Sequence, residues 1–498
     1  MTAAELGRRL GVAECDVSLV LFAGHGRFRC DRGSPARWWS AGSSSGKMVV
    51  PVAAPAPARL RPSASLGLYP WQADALSAWE RRGGRGVVEA VTGTGKTMVG
   101  VAAALDELDR RGQVVVLVPT VELQHQWVAE LRRRLPGREG VGRMGAGAGD
   151  SLATHDVLVA VVNTARALNV RPIRQGGLLV ADECHRYGSA VNQLALDPRF
   201  RSRLGLSATY ARDDDGNLAW LDPYFGGPCF RLDYARAVGD GVTARFTVSL
   251  VGVRFSPAEQ ACYDGLTALM GGLRARLIRE QGVAPEPFDA FMRAVALLAE
   301  GDSPGSGVAR AYRQALLERR RLLADTPAKD AALALVAPAV CHADRTIVFT
   351  QSIAASERTC AVLRGCGLRA GVMHSLLPQR DRRETLRRFA SGELPVVSAP
   401  RVLDEGIDVP AADLAVIVGA SRSRRQMIQR MGRVLRRKPD GRRARVAVLF
   451  VEGTVEDPRL GAHEAFLGEI VDVADRVSCF LAGAVAEWPD AVLEALRP

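Results

Sequence analysis

Three short segments carry side chains whose types and spacing can do chemistry on a phosphate. The first is Ala90-Val91-Thr92-Gly93-Thr94-Gly95-Lys96-Thr97. A bound phosphate needs a glycine-rich turn that aims backbone N–H groups inward, a helix N-terminus, a lysine for the β and γ phosphates, and a hydroxyl for Mg2+. Thr92, Gly93, Thr94 and Gly95 supply the turn, Lys96 the cation and Thr97 the hydroxyl; the first position is Ala90, not glycine. The second segment is Leu178-Leu179-Val180-Ala181-Asp182-Glu183-Cys184-His185. An apolar strand here delivers two carboxylates at its C-terminal end, where open α/β sheets bind ligands. Asp182 is expected to hold Mg2+, directly or through water, and Glu183 to orient and polarise the attacking water. The third segment is Gln429-Arg430-Met431-Gly432-Arg433-Val434-Leu435-Arg436. Hydrolysis builds negative charge on the transferred phosphoryl group, and a guanidinium stabilises it. Arg433 and Arg436 are three apart and can share a helix face, with Gln429 one turn earlier to contact the water or a phosphate oxygen. The expected catalytic set is Lys96, Asp182, Glu183, Gln429, Arg433 and Arg436, with Thr97 and Asp182 at the metal and ATP with Mg2+ as cofactors.

Strands and helices in alternation must position these groups. From about 65 to 240, apolar runs at Gly86–Glu89, Val114–Val118, Val157–Val162, Leu178–Ala181 and Leu204–Leu206 separate helical stretches. Short buried strands alternating with helices predict a parallel sheet covered on both faces. The pattern returns at Thr346–Phe349, Ala370–Met373, Pro395–Ser398, Leu414–Val418 and Val446–Val451. Between them, 255–330 shows helical arrays such as Tyr263, Leu266, Leu269 and Met270 and no strand-like alternation. At the N-terminus, Leu6, Leu10 and Val12, then Val17, Val20 and Leu21, sit at helical spacing. Arg27-Phe28-Arg29 and Arg37-Trp38-Trp39 flank a turn and read as a short hairpin. Helix, turn, helix, hairpin is the order of a winged helix.

The ordered motifs resemble those of superfamily 2 DExH-box helicases. Asp182-Glu183-Cys184-His185 resembles the DExH box, and Leu68-Tyr69-Pro70-Trp71-Gln72 the adenine-recognition segment, which implies that Gln72 reads the base edge. Val118-Pro119-Thr120, with Leu123, Gln126 and Trp127, resembles the first nucleic-acid-contacting motif, and Ser207-Ala208-Thr209 the motif that couples the lobes. Thr346–Thr350 opens the second lobe. Leu403–Pro410 resembles motif V, which places Gly406 and Asp408 among the nucleotide contacts, and Gln429–Arg436 resembles the QxxGRxxR motif VI. Within the superfamily the chain is most similar to the group of the xeroderma-pigmentosum group B helicase and the type III restriction subunits. That group carries an Arg-Glu-Asp element where this sequence has Arg212-Asp213-Asp214. The N-terminal unit resembles, more distantly, a Z-nucleic-acid-binding-type winged helix, with Ser18, Phe22 and Pro35-Ala36-Arg37-Trp38 where that family has Asn, Tyr and Pro-Pro-x-Trp.

The resemblance implies an α/β fold of two RecA-like parallel-sheet lobes with a helical insertion and a small N-terminal winged-helix unit. The expected divisions are a winged unit at 1–40, a flexible Ser/Gly/Ala/Pro-rich linker at 41–64, an ATP-binding lobe at 65–245, a helical insertion or connector at 246–335, a second lobe at 336–454 and a helical tail at 455–498. The implied activity is an ATP-dependent helicase or translocase on double-stranded DNA in repair, restriction or phage defence. An RNA helicase and an ATP-dependent nucleic-acid sensor or clamp subunit are the alternatives. No PD-(D/E)xK-like nuclease pattern is seen, so cleavage needs a partner such as a nuclease, and a methyltransferase partner belongs to the same setting.

Composition bounds these readings. The chain has 498 residues, which at roughly 150 per domain corresponds to about three domains. Lys+Arg 66 against Asp+Glu 54 leaves a net charge of +12, which fits a polyanionic partner. Lysine is scarce and arginine plentiful, a pattern that GC-rich coding also produces. Arg27, Arg29, Arg32 and Arg37, and the arginines of 422–445, are the candidates for a phosphate backbone. A protein-contact role for the N-terminal unit stands beside that one. The nine cysteines form no CxxC pair, so a zinc ribbon or a disulfide framework is not expected. No stretch of about 18 apolar residues marks a membrane span, and the segment around Glu5 to His25 does not read as a signal peptide. A reduced cytoplasmic setting is the expectation.

Overall fold

The short apolar runs of the sequence become the buried centres of two parallel sheets. The computed structural model describes residues 28–31, 37–40, 66–135, 140–168, 170–173, 176–212, 214–400, 412–419, 432, 434–438, 440–462, 470–482 and 488–497. The first two of these stretches are strands β1 (Phe28–Asp31) and β2 (Arg37–Ser40), paired antiparallel from Phe28↔Ser40 to Asp31↔Arg37. That is the expected hairpin. The helices expected before it and the linker at 41–64 lie outside the described residues.

The first sheet contains β3 (Arg85–Ala90), β4 (Val114–Val118), β5 (Val141–Gly145), β6 (Ala148–Gly149), β7 (Val157–Val161), β8 (Leu178–Asp182), β9 (Ser202–Ser207) and β10 (Pro228–Leu232). Its order is β10-β3-β9-β8-β4-β7-β5-β6, parallel except for the β5–β6 hairpin. Every residue of β4, β7, β8 and β9 is buried, because helices cover both faces and no position faces water. Helix α1 (Pro70–Arg81) opens on Pro70 in its first turn and buries Trp71, Ala75, Leu76 and Trp79. Helix α2 (Lys96–Asp109) follows the glycine-rich turn. Helix α3 (Val121–Arg134) is capped by the Thr120 hydroxyl, which accepts from Leu123 N.

The second sheet is β11 (Phe246–Val253), β12 (Thr346–Thr350), β13 (Ala370–Val372), β14 (Val396–Pro400), β15 (Leu414–Ile417), β16 (Ala444–Val451) and β17 (Arg476–Phe480). Its order is β13-β14-β12-β15-β16-β11-β17, and all its pairs are parallel. The two α/β units are RecA-like lobes.

Two expected divisions change. The range 246–335, expected as helical, opens with β11, which pairs with β16 along its whole length. The range 455–498, expected as a helical tail, contributes β17 to the same sheet and then a helix at Trp488–Ala495. Helices α4 (Pro257–Gln281), α5 (Phe288–Glu300) and α6 (Ser306–Asp325) follow β11. They share a core of Met270, Leu277, Phe291, Val295 and Tyr312 that is separate from both sheets. Helix α7 (Pro327–Cys341) instead packs Leu333, Val336 and Val340 into the second lobe. Among the described residues, no helix is long and apolar enough to cross a membrane.

Candidate nucleotide site

The glycine-rich turn joins β3 to α2 as its sequence requires. Gly93 and Gly95 both have left-handed φ, +83° and +86°, which L side chains adopt only with strain. Gly95 sits at the N-cap of α2. That places the free N–H groups of the first helical turn and the positive end of the helix dipole at the mouth of the loop. Thr94 staples the loop by donating from Oγ1 to Val91 O at 2.7 Å. Lys96 Nζ donates to Ala90 O at 2.7 Å. Burial pulls the Lys96 ammonium below its ordinary pKa, and the Glu183 and Asp182 carboxylates oppose that pull. A polyphosphate would add further negative charge beside this buried ammonium.

Gln72 reaches the same loop from α1. Its Nε2 donates to Gly95 O at 3.0 Å, and its Oε1 accepts from Tyr69 N at 2.9 Å. The buried amide therefore ties the Tyr-Pro-Trp-Gln segment to the turn at one edge of the site.

At the end of β8, Asp182 Oδ2 accepts the indole N–H of Trp127 at 2.8 Å and Oδ1 accepts Glu183 N at 3.0 Å. Burial raises the Asp182 pKa, while the Trp127 hydrogen bond and the Lys96 charge lower it. Glu183 has left-handed φ, +49°, although it is not glycine. Its Oε2 lies 3.5 Å from His185 Nδ1, and that nitrogen lies 3.0 Å from Ser207 Oγ. Ser207 Oγ donates on to Thr209 O at 2.7 Å. The carboxylate segment is thus wired by side chains to Ser207-Ala208-Thr209. Burial pushes the thiol pKa of Cys184 well up, and the Glu183, Asp182 and Glu89 carboxylates add to that push.

The donor set suits Mg2+. The protein would supply one carboxylate, Asp182, and one hydroxyl, Thr97, and no cluster of three or more His, Cys, Asp or Glu able to cage a metal lies among the described residues. Mg2+ is held in this manner, by one or two protein oxygens with substrate phosphates and water completing the shell.

The second lobe closes one side of the turn. A Cβ built on Gly93 would stand 2.5 Å from Gly432 O and 3.2 Å from Arg436 Cγ, and one built on Gly432 would collide with Thr92. Arg436 is further fixed by a backbone bridge to Thr243 and by Ala244 N donating to Leu435 O at 2.8 Å. The structure therefore brings Gln72, Thr92, Gly93, Thr94, Gly95, Lys96, Thr97, Asp182, Glu183 and Arg436 around one loop. Gln429, Arg433, Gly406 and Asp408 lie outside the described residues.

Two contributions escaped the reading of sequence. Trp127, which the resemblance sets in a nucleic-acid-contacting motif, also donates its indole N–H to Asp182. Glu89, an acidic residue inside an apolar strand, accepts Tyr210 N at 2.9 Å and pairs with Arg231 at 3.0 Å. It thereby joins the strand before the loop to the segment after Thr209. The charge in a buried run was the signal available for Glu89. Arg212 pairs with Asp214 at 2.6 Å and also donates to His185 O, so it braces the carboxylate segment. Asp213 lies outside the described residues.

Comparison with known proteins follows the same division. The family model described as "Type III restriction enzyme, res subunit" matches residues 65–212, and "Helicase conserved C-terminal domain" matches residues 331–438. The chain is 28% identical over 396 residues to the "DNA 3'-5' translocase XPB2" of Sulfurisphaera tokodaii, covering 78% of this chain and 82% of that protein. It is 30% identical over 400 residues to the "Putative DNA 3'-5' helicase Rad25" of Halobacterium salinarum, covering 79% of this chain but 55% of that one. Among solved structures, S. cerevisiae Dbp5 bound to RNA and ADP BeF3 superposes with a TM-score of 0.55 over 86% of this chain and 94% of its own, at 15% identity. That last likeness is one of fold.

Proposed function

The chain belongs to the superfamily 2 DExH helicases, in the group of XPB and the type III restriction subunits, and from that premise we propose that it is an ATP-driven motor on double-stranded DNA. The observation that carries the reading is the seating of Gly432 and Arg436 of one lobe on the glycine-rich turn of the other. A phosphate held by the turn then faces guanidinium chemistry from across the cleft, and hydrolysis depends on how the lobes close.

Each group has a role in that scheme. The turn and Lys96 bind the β and γ phosphates, and Gln72 selects the base. Thr97 and Asp182 would hold Mg2+, which supplies charge neutralisation between the phosphates. Glu183 orients the attacking water, and Arg436, with Arg433 and Gln429 beside it in sequence, neutralises the charge that builds on the transferred phosphoryl group. Gly406 and Asp408 complete the nucleotide contacts from the second lobe. The His185–Ser207–Thr209 chain passes the state of Glu183 to the motif that couples the lobes. Motion of the lobes shifts the grip of Val118–Thr120 on a phosphate backbone, with the 3'–5' polarity named for its relatives.

Lys96→Ala and Glu183→Gln should each abolish DNA-stimulated ATP hydrolysis while leaving the melting transition in place; normal turnover in either variant refutes the assignment. Stimulation by duplex DNA, single-stranded DNA and RNA, measured side by side, separates this motor from an RNA helicase. The finer setting we propose is cytoplasmic DNA repair or restriction, with a nuclease or methyltransferase as the partner in the second case.

A further inference from the structure

Trp127 holds the carboxylate of Asp182, and its place in the fold gives that contact a purpose. The two residues are 1% and 7% exposed, and the indole N–H meets Oδ2 at 2.8 Å. A buried indole N–H usually takes an acceptor, ordinarily a backbone carbonyl, although Trp71 Nε1 in the same lobe is buried without one. Trp79, in the same lobe, uses Arg203 O at 3.0 Å. Trp127 instead spends its one donor on a carboxylate oxygen. To do so its ring crosses α2 at Gly100, where a Cβ would stand only 2.6 Å from Trp127 Cη2. Gly100 is one turn beyond Thr97, so the ring passes over the helix that carries the other proposed metal ligand. Thr97 and Trp127 also line one cavity of about 580 Å3 between α2 and α3. Trp127 rides on α3, the helix capped by Thr120 at the end of the Val118–Thr120 segment.

We infer that Trp127 is a positioning residue: it fixes the rotamer of Asp182 for Mg2+ and ties that carboxylate rigidly to α3, the helix of the proposed nucleic-acid grip. Donors that orient a metal-bound carboxylate from behind typically matter by 10–100-fold in metal affinity. A shift of α3 on its track then reaches the metal carboxylate through one hydrogen bond. The inference rests on Asp182 being the metal carboxylate.

The test is equilibrium binding of a non-hydrolysable ATP analogue to the full chain, with and without Mg2+. The wild-type protein should bind more tightly with Mg2+; equal binding would overturn the metal reading of the site itself. Trp127→Phe keeps the ring packing and removes the N–H. It should bind the analogue without Mg2+ within about twofold of wild type and lose about tenfold of the Mg2+-linked gain. An unchanged gain, with or without a lowered melting temperature, means that Trp127 only fills the core and overturns the inference. Gly100→Ala pushes the same indole off the carboxylate without deleting it and should lose the gain as well. Should Trp127→Phe fail to show a cooperative melting transition, Gly100→Ala decides the matter alone, and a wild-type gain there is refutation.

Discussion

Replacing Gly93 by alanine probes the seating of one lobe on the other. The new Cβ would stand 2.5 Å from Gly432 O, against an ordinary contact of 3.4 Å, so the second lobe must retreat by about 0.9 Å. A misplacement of roughly 1 Å at a reacting centre costs about 100-fold, or about 2.7 kcal/mol of barrier at 1.36 kcal/mol per tenfold. Left-handed strain of ~1–2 kcal/mol falls on the loop as well. Gly95→Ala separates the two effects. It carries a near-equal φ, +86°, but its Cβ would meet only Gln72 Nε2, at 3.1 Å. The assay is kcat at saturating ATP beside the Kd of a non-hydrolysable analogue. Gly93→Ala should lower kcat about 100-fold with analogue binding held within a few fold. Gly95→Ala should act mainly on binding. Equal kcat losses in both variants, or none in Gly93→Ala, would refute the argument that hydrolysis needs this inter-lobe seat.

Three further outcomes are expected. Gln72→Ala removes the amide that ties the Tyr69 N–H to the Gly95 carbonyl; KM for ATP should rise about tenfold and preference over GTP should fall, with kcat nearly unchanged. Lys329→Met strands the Glu456 carboxylate, now paired with Lys329 at 2.6 Å with side chains 0% and 2% exposed. That should cost about 3–5 kcal/mol, read by calorimetry as a fall of roughly 6–20 °C in Tm, and Lys329→Met with Glu456→Leu should recover much of it. Burial lowers the Lys438 pKa to about 8. Between there and an ordinary lysine pKa of about 10.4, the unfolded chain holds a proton that the folded one lacks, so stability should rise with pH across that window. Lys438→Met should flatten this rise in thermal melts from pH 7.5 to 10.

What could be read in the sequence was what is local along the chain. The turn 90–97 and the strand-plus-carboxylate 178–183 each place all their chemistry within a few residues, and strands such as Val114–Val118 announce themselves because both faces are buried. Strand β11 did not, because its partners β16 and β17 lie some two hundred residues downstream and its own stretch borders the helical insertion. Strand β17 is a short edge strand with an exposed Arg476 at its start, and β5–β6 is broken by glycines, so neither carried a strong apolar period. The same holds within the site. Trp127 and Asp182 are 55 residues apart, and Thr92 meets Gly432 only because the second lobe folds back over the first. Gln429, Arg433, Gly406 and Asp408 rest on motif spacing alone.

The most direct measurement is displacement of a third strand annealed to duplex DNA. Movement along the duplex strips the third strand without needing the duplex to open. The wild-type chain should strip it in the presence of ATP and Mg2+, and Glu183→Gln should leave it bound. Hydrolysis stimulated by the duplex without displacement would mean a clamp, and stronger stimulation by RNA than by duplex DNA would mean a different track; either result contradicts a motor on double-stranded DNA.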